Sequence, residues 1–140
     1  QCEKVPFEEK QQLLKSALAT NEIKLRQAIA NTTPKVSPDF KLDFETLIND
    51  NSYITKEIVL STYWSQFPEE QQRVLTISKD WIGFNDKNLR ILWLTLALGT
   101  KEYQMEDKAK FYDELLSYCN PEFETSIRQN ALENLLFILI

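Results

Sequence analysis

The sequence predicts an all-α protein of about eight helices, arranged in antiparallel pairs as a HEAT-like superhelix. Three observations carry that expectation. Apolar residues recur at helical spacing along the chain, with well-marked breaks. Only 2 glycines occur in 140 residues, where average usage of about 7% would supply roughly ten, so a turn-rich β-sandwich is disfavoured. The helices also carry a recurring motif, described below. At 140 residues, with 43% hydrophobic and 26% charged residues, the chain suits one domain spanning 1–140 with a real core.

The first helix starts near Pro6 or Phe7, where Glu8 and Glu9 complement the positive end of the helix dipole. Its apolar stripe is Phe7, Leu13, Leu14, Ala17 and Leu18. Asn21 is placed to cap a second helix that carries Ile23, Leu25, Ala28 and Ile29. Thr33-Pro34-Lys35-Val36-Ser37-Pro38 reads as a loop, because proline disrupts helix continuation. Ser37, Pro38 and Asp39 then read as cap, first helical residue and dipole partner of a third helix presenting Phe40, Phe44, Leu47 and Ile48. Asn49-Asp50-Asn51-Ser52 breaks that helix. Ser52 or Thr55 opens a fourth, running to about Phe67.

Pro68-Glu69-Glu70 opens a fifth helix by the same chemistry, although Val74-Leu75-Thr76-Ile77 also has strand character. Gly83 suits its end, through the left-handed conformation glycine reaches cheaply. Asn85 or Asp86 caps a strongly apolar sixth helix from Leu89 to Leu98, ended by Gly99-Thr100. Met105 to Cys119 forms a seventh, and after Asn120-Pro121-Glu122 an eighth runs to Ile140. Leu135 to Ile140 is far too short to cross a bilayer, which takes about 20 residues. It reads as the buried end of a helix or one cut short, which favours a fragment of a longer chain.

Alternate helices share a template. Leu25-Arg26, Leu89-Arg90 and Ile127-Arg128 each begin a run whose apolar residues fall at i, i+4 and i+5, on one helix face. Ile54-Thr55-Lys56-Glu57-Ile58-Val59 fits with the arginine lost. The template recurs at intervals of roughly 29, 35 and 38 residues, within the range of helical repeat units. A bundle with chance similarity between helices is the alternative. Arg26, Arg90 and Arg128 are expected to bond a neighbouring helix end or a neighbouring carboxylate in preference to an anion.

Catalytic chemistry is hard to find. There is no His in the chain, so neither a zinc-holding H-E-x-x-H nor a Ser-His-Asp or Cys-His system can form. Gly83 and Gly99 belong to no phosphate-cradling loop, and Asp80 to Asp86 lacks the ligand alternation of a calcium loop. Glu8/Glu9, Glu69/Glu70 and Glu122/Glu124 resemble acid–base pairs, but the helix dipole explains each. Glu102, Glu106 and Asp107 read as a solvated turn. Catalytic, cofactor and metal residues are therefore all expected to be none. Trp64, Trp81 and Trp93, with Tyr53, Tyr63, Phe67 and Phe84, read as core between helix pairs; a ligand groove is the alternative. Cys2 and Cys119 lack the spacing of a zinc or redox pair. Sixteen Lys and Arg against 21 Asp and Glu give net charge −5, and the basic residues are scattered. Nucleic acid is not an expected partner, and no membrane span is expected.

The run Gly83-Phe84-Asn85-Asp86-Lys87-Asn88-Leu89-Arg90-Ile91-Leu92-Trp93-Leu94-Thr95-Leu96-Ala97-Leu98 resembles the C-terminal helical region of bacterial aminopeptidase N-like zinc metallopeptidases. So do Arg26-Gln27-Ala28-Ile29-Ala30 leading into Thr33-Pro34-Lys35, and Ser52-Tyr53-Ile54-Thr55-Lys56-Glu57-Ile58. The resemblance covers the chain from about residue 20 to its end. It implies a noncatalytic domain of HEAT-type repeats that packs on the catalytic domain of the same polypeptide and encloses the active-site chamber, limiting access to peptide substrates. This chain carries neither the family's zinc-binding motif nor its Gly-x-Met-Glu-Asn motif. The resemblance thus implies no cofactor here, with zinc expected in the separate catalytic domain. A freestanding helical adaptor for a protein or peptide is the second reading, and a small-ligand bundle using the Trp-rich centre the third.

Overall fold

The computed structural model describes residues 5–32, 35–79 and 86–140, the side chain of residue 32 aside. Among the described residues there are eight α-helices and no strand: α1 (Phe7–Leu18), α2 (Ile23–Thr32), α3 (Lys41–Glu45), α4 (Tyr53–Gln66), α5 (Gln71–Ser78), α6 (Lys87–Gly99), α7 (Met105–Ser117) and α8 (Thr125–Leu139). The protein is all-α. It divides between Glu70 and Gln71 into two compact units, each with its own core.

In the first unit α1 starts where the proline and acidic pair suggest, with Pro6 at its cap and Glu8 and Glu9 in its first turn. Its stripe is only half-covered, since Phe7 and Leu13 stay exposed. Before α2 the Thr20 hydroxyl accepts the Glu22 amide at 3.2 Å. The expected inner face of α2 is largely the outer one. Ile23, Leu25 and Ala28 are exposed, while Ala30 is buried and Arg26 and Gln27 half-buried. Two polar side chains turn inward because each finds a partner across the unit, as described below; an unpaired polar group there would carry a desolvation cost of about 1–3 kcal/mol.

The third helix is shorter than its periodicity suggests. A 3-10 turn over Pro38–Phe40 leads into α3, and a second over Thr46–Asn49 follows it. Thr46 Oγ1 donates to the Asp43 carbonyl at 2.7 Å, and the Asp50 amide to the Leu47 carbonyl at 3.1 Å, so short-range bonds replace a continuous helix. Phe44, Leu47 and Ile48 nevertheless bury themselves. Ser37 takes the cap position but makes no side-chain cap bond. α4 is capped as expected, with Ser52 Oγ accepting from the Thr55 amide at 3.4 Å. Thr55, Val59 and Tyr63 line its inner side at i, i+4 and i+8, with Leu60 beside them. The helix packs on α2, on α3 and on the 3-10 turn that follows α3.

The second unit opens with α5, preceded in the chain by a 3-10 turn over Pro68–Glu70. Val74 and Leu75 are helical and buried, so the strand character of that run goes unused. The positions of Trp81, Gly83, Phe84 and Asn85 lie outside the described residues. Asp86 caps α6, accepting the Leu89 amide at 2.9 Å. Leu89, Ile91, Trp93, Leu94 and Ala97 are fully buried; each such side chain contributes on the order of 1.5–3 kcal/mol by leaving water, alanine less. α6 packs on both α7 and α8, and α7 on α8. Gly99 is the last residue of α6, and the exit is made by extended Thr100, at φ −87 and ψ 159.

The C-terminal end of α8 corrects an expectation. Only Leu135 among its last residues is fully buried. Leu136, Phe137, Leu139 and Ile140 are exposed, so this is not a buried helix end. No helix among the described residues is long and apolar enough to cross a membrane.

Candidate functional site

The three template arginines are the residues the sequence and the structure both single out. In the first unit Arg26 reaches back from α2 to Asp50. Its Nε donates to Asp50 Oδ2, one terminal nitrogen donates to Oδ1 at 3.3 Å, and the other to the Thr20 carbonyl. Asp50, which is buried, also accepts the Ser52 amide at 2.7 Å. Gln27 completes the junction by donating to Ser52 Oγ at 2.8 Å. One carboxylate thus ties the start of α2 to the cap of α4.

In the second unit Arg90 of α6 grips Glu114 of α7 with both arms, Nε to Oε1 and a terminal nitrogen to Oε2, each at 2.7 Å. The guanidinium lies 4.9 Å from the Trp93 ring centroid, and Tyr118 donates to Glu114 Oε1 at 3.1 Å. The Arg90 hydrogen bonds, ahead of any other cause, hold the Glu114 carboxyl below its ordinary range. Burial, followed by the nearby Glu114 charge, pushes the Tyr118 phenol up to about 12. In both pairs the carboxylate stands 24 residues after its arginine. Neither carboxylate is marked by its own residue type or local motif. The shared spacing is the signal that would have found them.

Among the described residues, aromatic side chains of the middle of the chain meet in each unit. Tyr63 and Phe67 meet with centroids 4.8 Å apart. Tyr63 donates to Glu45 Oε2 at 2.7 Å, and the Lys41 ammonium lies 4.7 Å over the Phe67 ring. Trp93, Tyr103 and Phe111 pack edge to face, with the closest centroids 5.0 Å apart. Trp93 is fully buried and donates to Ser78 Oγ at 3.1 Å. Trp64 and Tyr53 are half-buried.

Of the suspected acid–base pairs, Glu8 and Glu9 are exposed in the first turn of α1. Glu69 and Glu70 both accept from Lys41, at 3.0 and 2.6 Å, a clamp the sequence did not announce. Its own backbone amide, then Lys41, holds the Glu69 carboxyl below its ordinary range. Glu122 and Glu124 precede α8 and do not enter its first turn. Glu106 and Asp107 occupy the first turn of α7, with exposed Glu102 ahead of it. Cys119 carries a free, half-buried thiol.

Open depressions lie among the described residues. One of about 240 Å³ lies beside Arg26 and Asp50, lined also by Leu18, Leu47 and Asn49; its charged groups already satisfy one another. Another, of about 70 Å³, lies between Leu75, Thr76 and Tyr103, well under the few hundred Å³ of a typical ligand pocket. Among the described residues no group of three or more His, Cys, Asp or Glu side chains is placed to hold a metal ion. Comparison with protein-family models, curated proteins and solved structures yields no match to this chain.

Proposed function

We propose that the chain is a noncatalytic helical domain that packs on the catalytic domain of an aminopeptidase N-like zinc metallopeptidase and helps enclose its active-site chamber. The resemblance from about residue 20 onward supports this reading. The structural observation that carries it is the set of large apolar side chains left open on several helices: Leu13 of α1, Leu25 of α2, Leu42 of α3, Met105 of α7 and Phe137 of α8 are all exposed. Such side chains gain free energy on leaving water, so helices that keep them open are suited to be covered by another protein surface. The residues of this chain do not fit the family's zinc site, having no His to ligate it. The metal chemistry of the proposal therefore belongs wholly to the other domain.

The test has two parts. The 140-residue chain, supplied with zinc, is expected to release no product from aminoacyl reporter substrates; hydrolysis that survives rigorous purification and stops with chelator would overturn the noncatalytic assignment. The gene encoding the chain is expected to specify an H-E-x-x-H segment upstream. A gene confined to these 140 codons would replace the peptidase reading with the helical adaptor.

A further inference from the structure

The arginine template has three members but only two completed pairs. Arg26 and Arg90 each hold a carboxylate 24 residues further along the chain. Arg128, at the same template position in α8, donates from one terminal nitrogen to Thr125 Oγ1 at 3.1 Å. Its Nε is buried and has no hydrogen-bond partner.

A second observation points to the same place. The residue one turn beyond the template arginine is buried in α2 (Ala30, 2%) and α6 (Leu94, 0%), and its counterpart Val59 in α4 is also buried at 0%. In α8 that residue is Leu132, 52% exposed. Arg128, Leu132 and Leu136 follow at i, i+4 and i+8, and Leu139 lies one turn beyond Leu135 on the adjoining strip, so helical geometry puts them along one side. α8 therefore carries an arginine and apolar stripe like the Arg90 and Leu94 of α6, but its leucines stand exposed where Leu94 is covered.

We propose that this side of α8 is a docking surface for an amphipathic helix from outside these 140 residues, one that carries an aspartate or glutamate among apolar residues. The carboxylate pairs with the Arg128 guanidinium, as Glu114 pairs with Arg90. The apolar residues of the helix cover Leu132, Leu136 and Leu139. An arginine donor buried without a partner is costly and a fork matched by a carboxylate is not, which selects an acidic occupant over a purely apolar one. This deepens the packing reading by naming the chemistry of one contact. It stands on the arginine pairs and not on the peptidase resemblance.

The test is site-specific photo-crosslinking of the protein in the cells that produce it. A crosslinking amino acid is placed at position 132, with a control at exposed position 126, off this side of the helix. Position 132 is expected to capture one helical segment with an Asp or Glu within a turn of the crosslink, and position 126 not to. Arg128→Glu should lower the yield about tenfold or more, the scale for breaking a desolvated charge pair. Reversing the captured carboxylate to Arg should restore it. Leu132→Lys, at an exposed site that the fold tolerates, should in a separate competition abolish capture from position 136. The proposal is overturned by equal capture at 132 and 126, by a captured segment without a carboxylate there, by capture of α8 from a second copy, or by failure of the reversed pair to rescue. The gene and activity tests above are independent of every one of these outcomes.

Discussion

The Arg90–Glu114 clip between α6 and α7 can be measured by removing each partner in turn and then both. Arg90→Gln and Glu114→Gln stay polar while removing one charge each, and the second also keeps the side chain's size. Two hydrogen bonds of 2.7 Å join the pair, and a hydrogen bond to a charged group contributes about 1.5–3 kcal/mol when well shielded. Shielding here is incomplete, with 18% of the arginine side chain and 34% of the glutamate still reached by solvent. Screening draws the value toward the roughly 0.2–1 kcal/mol of exposed pairs. A coupling energy of about 1–2 kcal/mol is therefore expected between the two sites at neutral pH. Urea unfolding of the four proteins, followed by tryptophan fluorescence, gives that coupling through a double-mutant cycle.

The pH dependence supplies an independent check on the same pair. Because the folded Glu114 carboxyl lies below its ordinary range, its contribution is complete above the unfolded glutamate pKa of about 4.3. It is lost as pH falls through the lowered folded value. The coupling should shrink correspondingly in acid. A coupling indistinguishable from zero at pH 7, within the roughly 0.3–0.5 kcal/mol scatter of independent sites, would refute the reasoning. So would one that persists undiminished below the folded value.

Thr55 is fully buried and its hydroxyl has no hydrogen-bond partner, so Thr55→Val should raise unfolding free energy by about 1 kcal/mol by removing an unmet polar group; thermal melts would show a higher midpoint. Gly99 closes α6 with nothing within 4 Å of where a Cβ would stand, and its backbone needs no left-handed conformation. Gly99→Ala should therefore stabilise by roughly 0.5–1 kcal/mol through the unfolded chain's reduced freedom, read in the same melts. In an alkaline titration followed by tyrosinate absorbance, a late-ionising tyrosine near pH 12 should move to lower pH in Glu114→Gln, since the Glu114 charge helps hold the Tyr118 proton. Its raised folded pKa contributes stability that is present below the ordinary tyrosine range near 10 and lost as pH climbs through about 12, so alkaline unfolding should steepen across that interval.

Local signals predicted much of this chain because they act within a turn or two. Ser52 and Asp86 cap α4 and α6 as their residue types suggest, because a short polar side chain can reach an amide two or three residues on. Glu8 and Glu9 settle in the first turn of α1 for the same local reason, whereas Glu106 and Asp107, read as a solvated turn, enter the first turn of α7. The periodicity over Phe40 to Ile48 was legible as helical and the burial of Phe44, Leu47 and Ile48 correct, but the half-burial of Phe40 and the break into short turns were not. Whether Thr46 closes on the Asp43 carbonyl is decided by a choice between two nearby hydrogen bonds of similar strength, which periodicity does not register.

The candidate site divides along the same line. That Arg26, Arg90 and Arg128 occupy one recurring position is a property of the sequence alone. That Asp50 and Glu114 receive the first two is a property of packing, since the partners lie 24 residues apart and on different elements. The inward turn of Arg26 and Gln27, against an α2 whose leucine and isoleucines had marked the opposite side, follows from those through-space partners. The sequence by itself determined most of the helices, the Ser52 and Asp86 caps and the periodic arginine, because backbone hydrogen bonding and side-chain spacing along one helix are local. Only the tertiary structure decided which face each helix covers, and that two arginines are answered by carboxylates while Arg128 keeps a buried donor open. Burial is a sum over contacts between elements that no single segment contains.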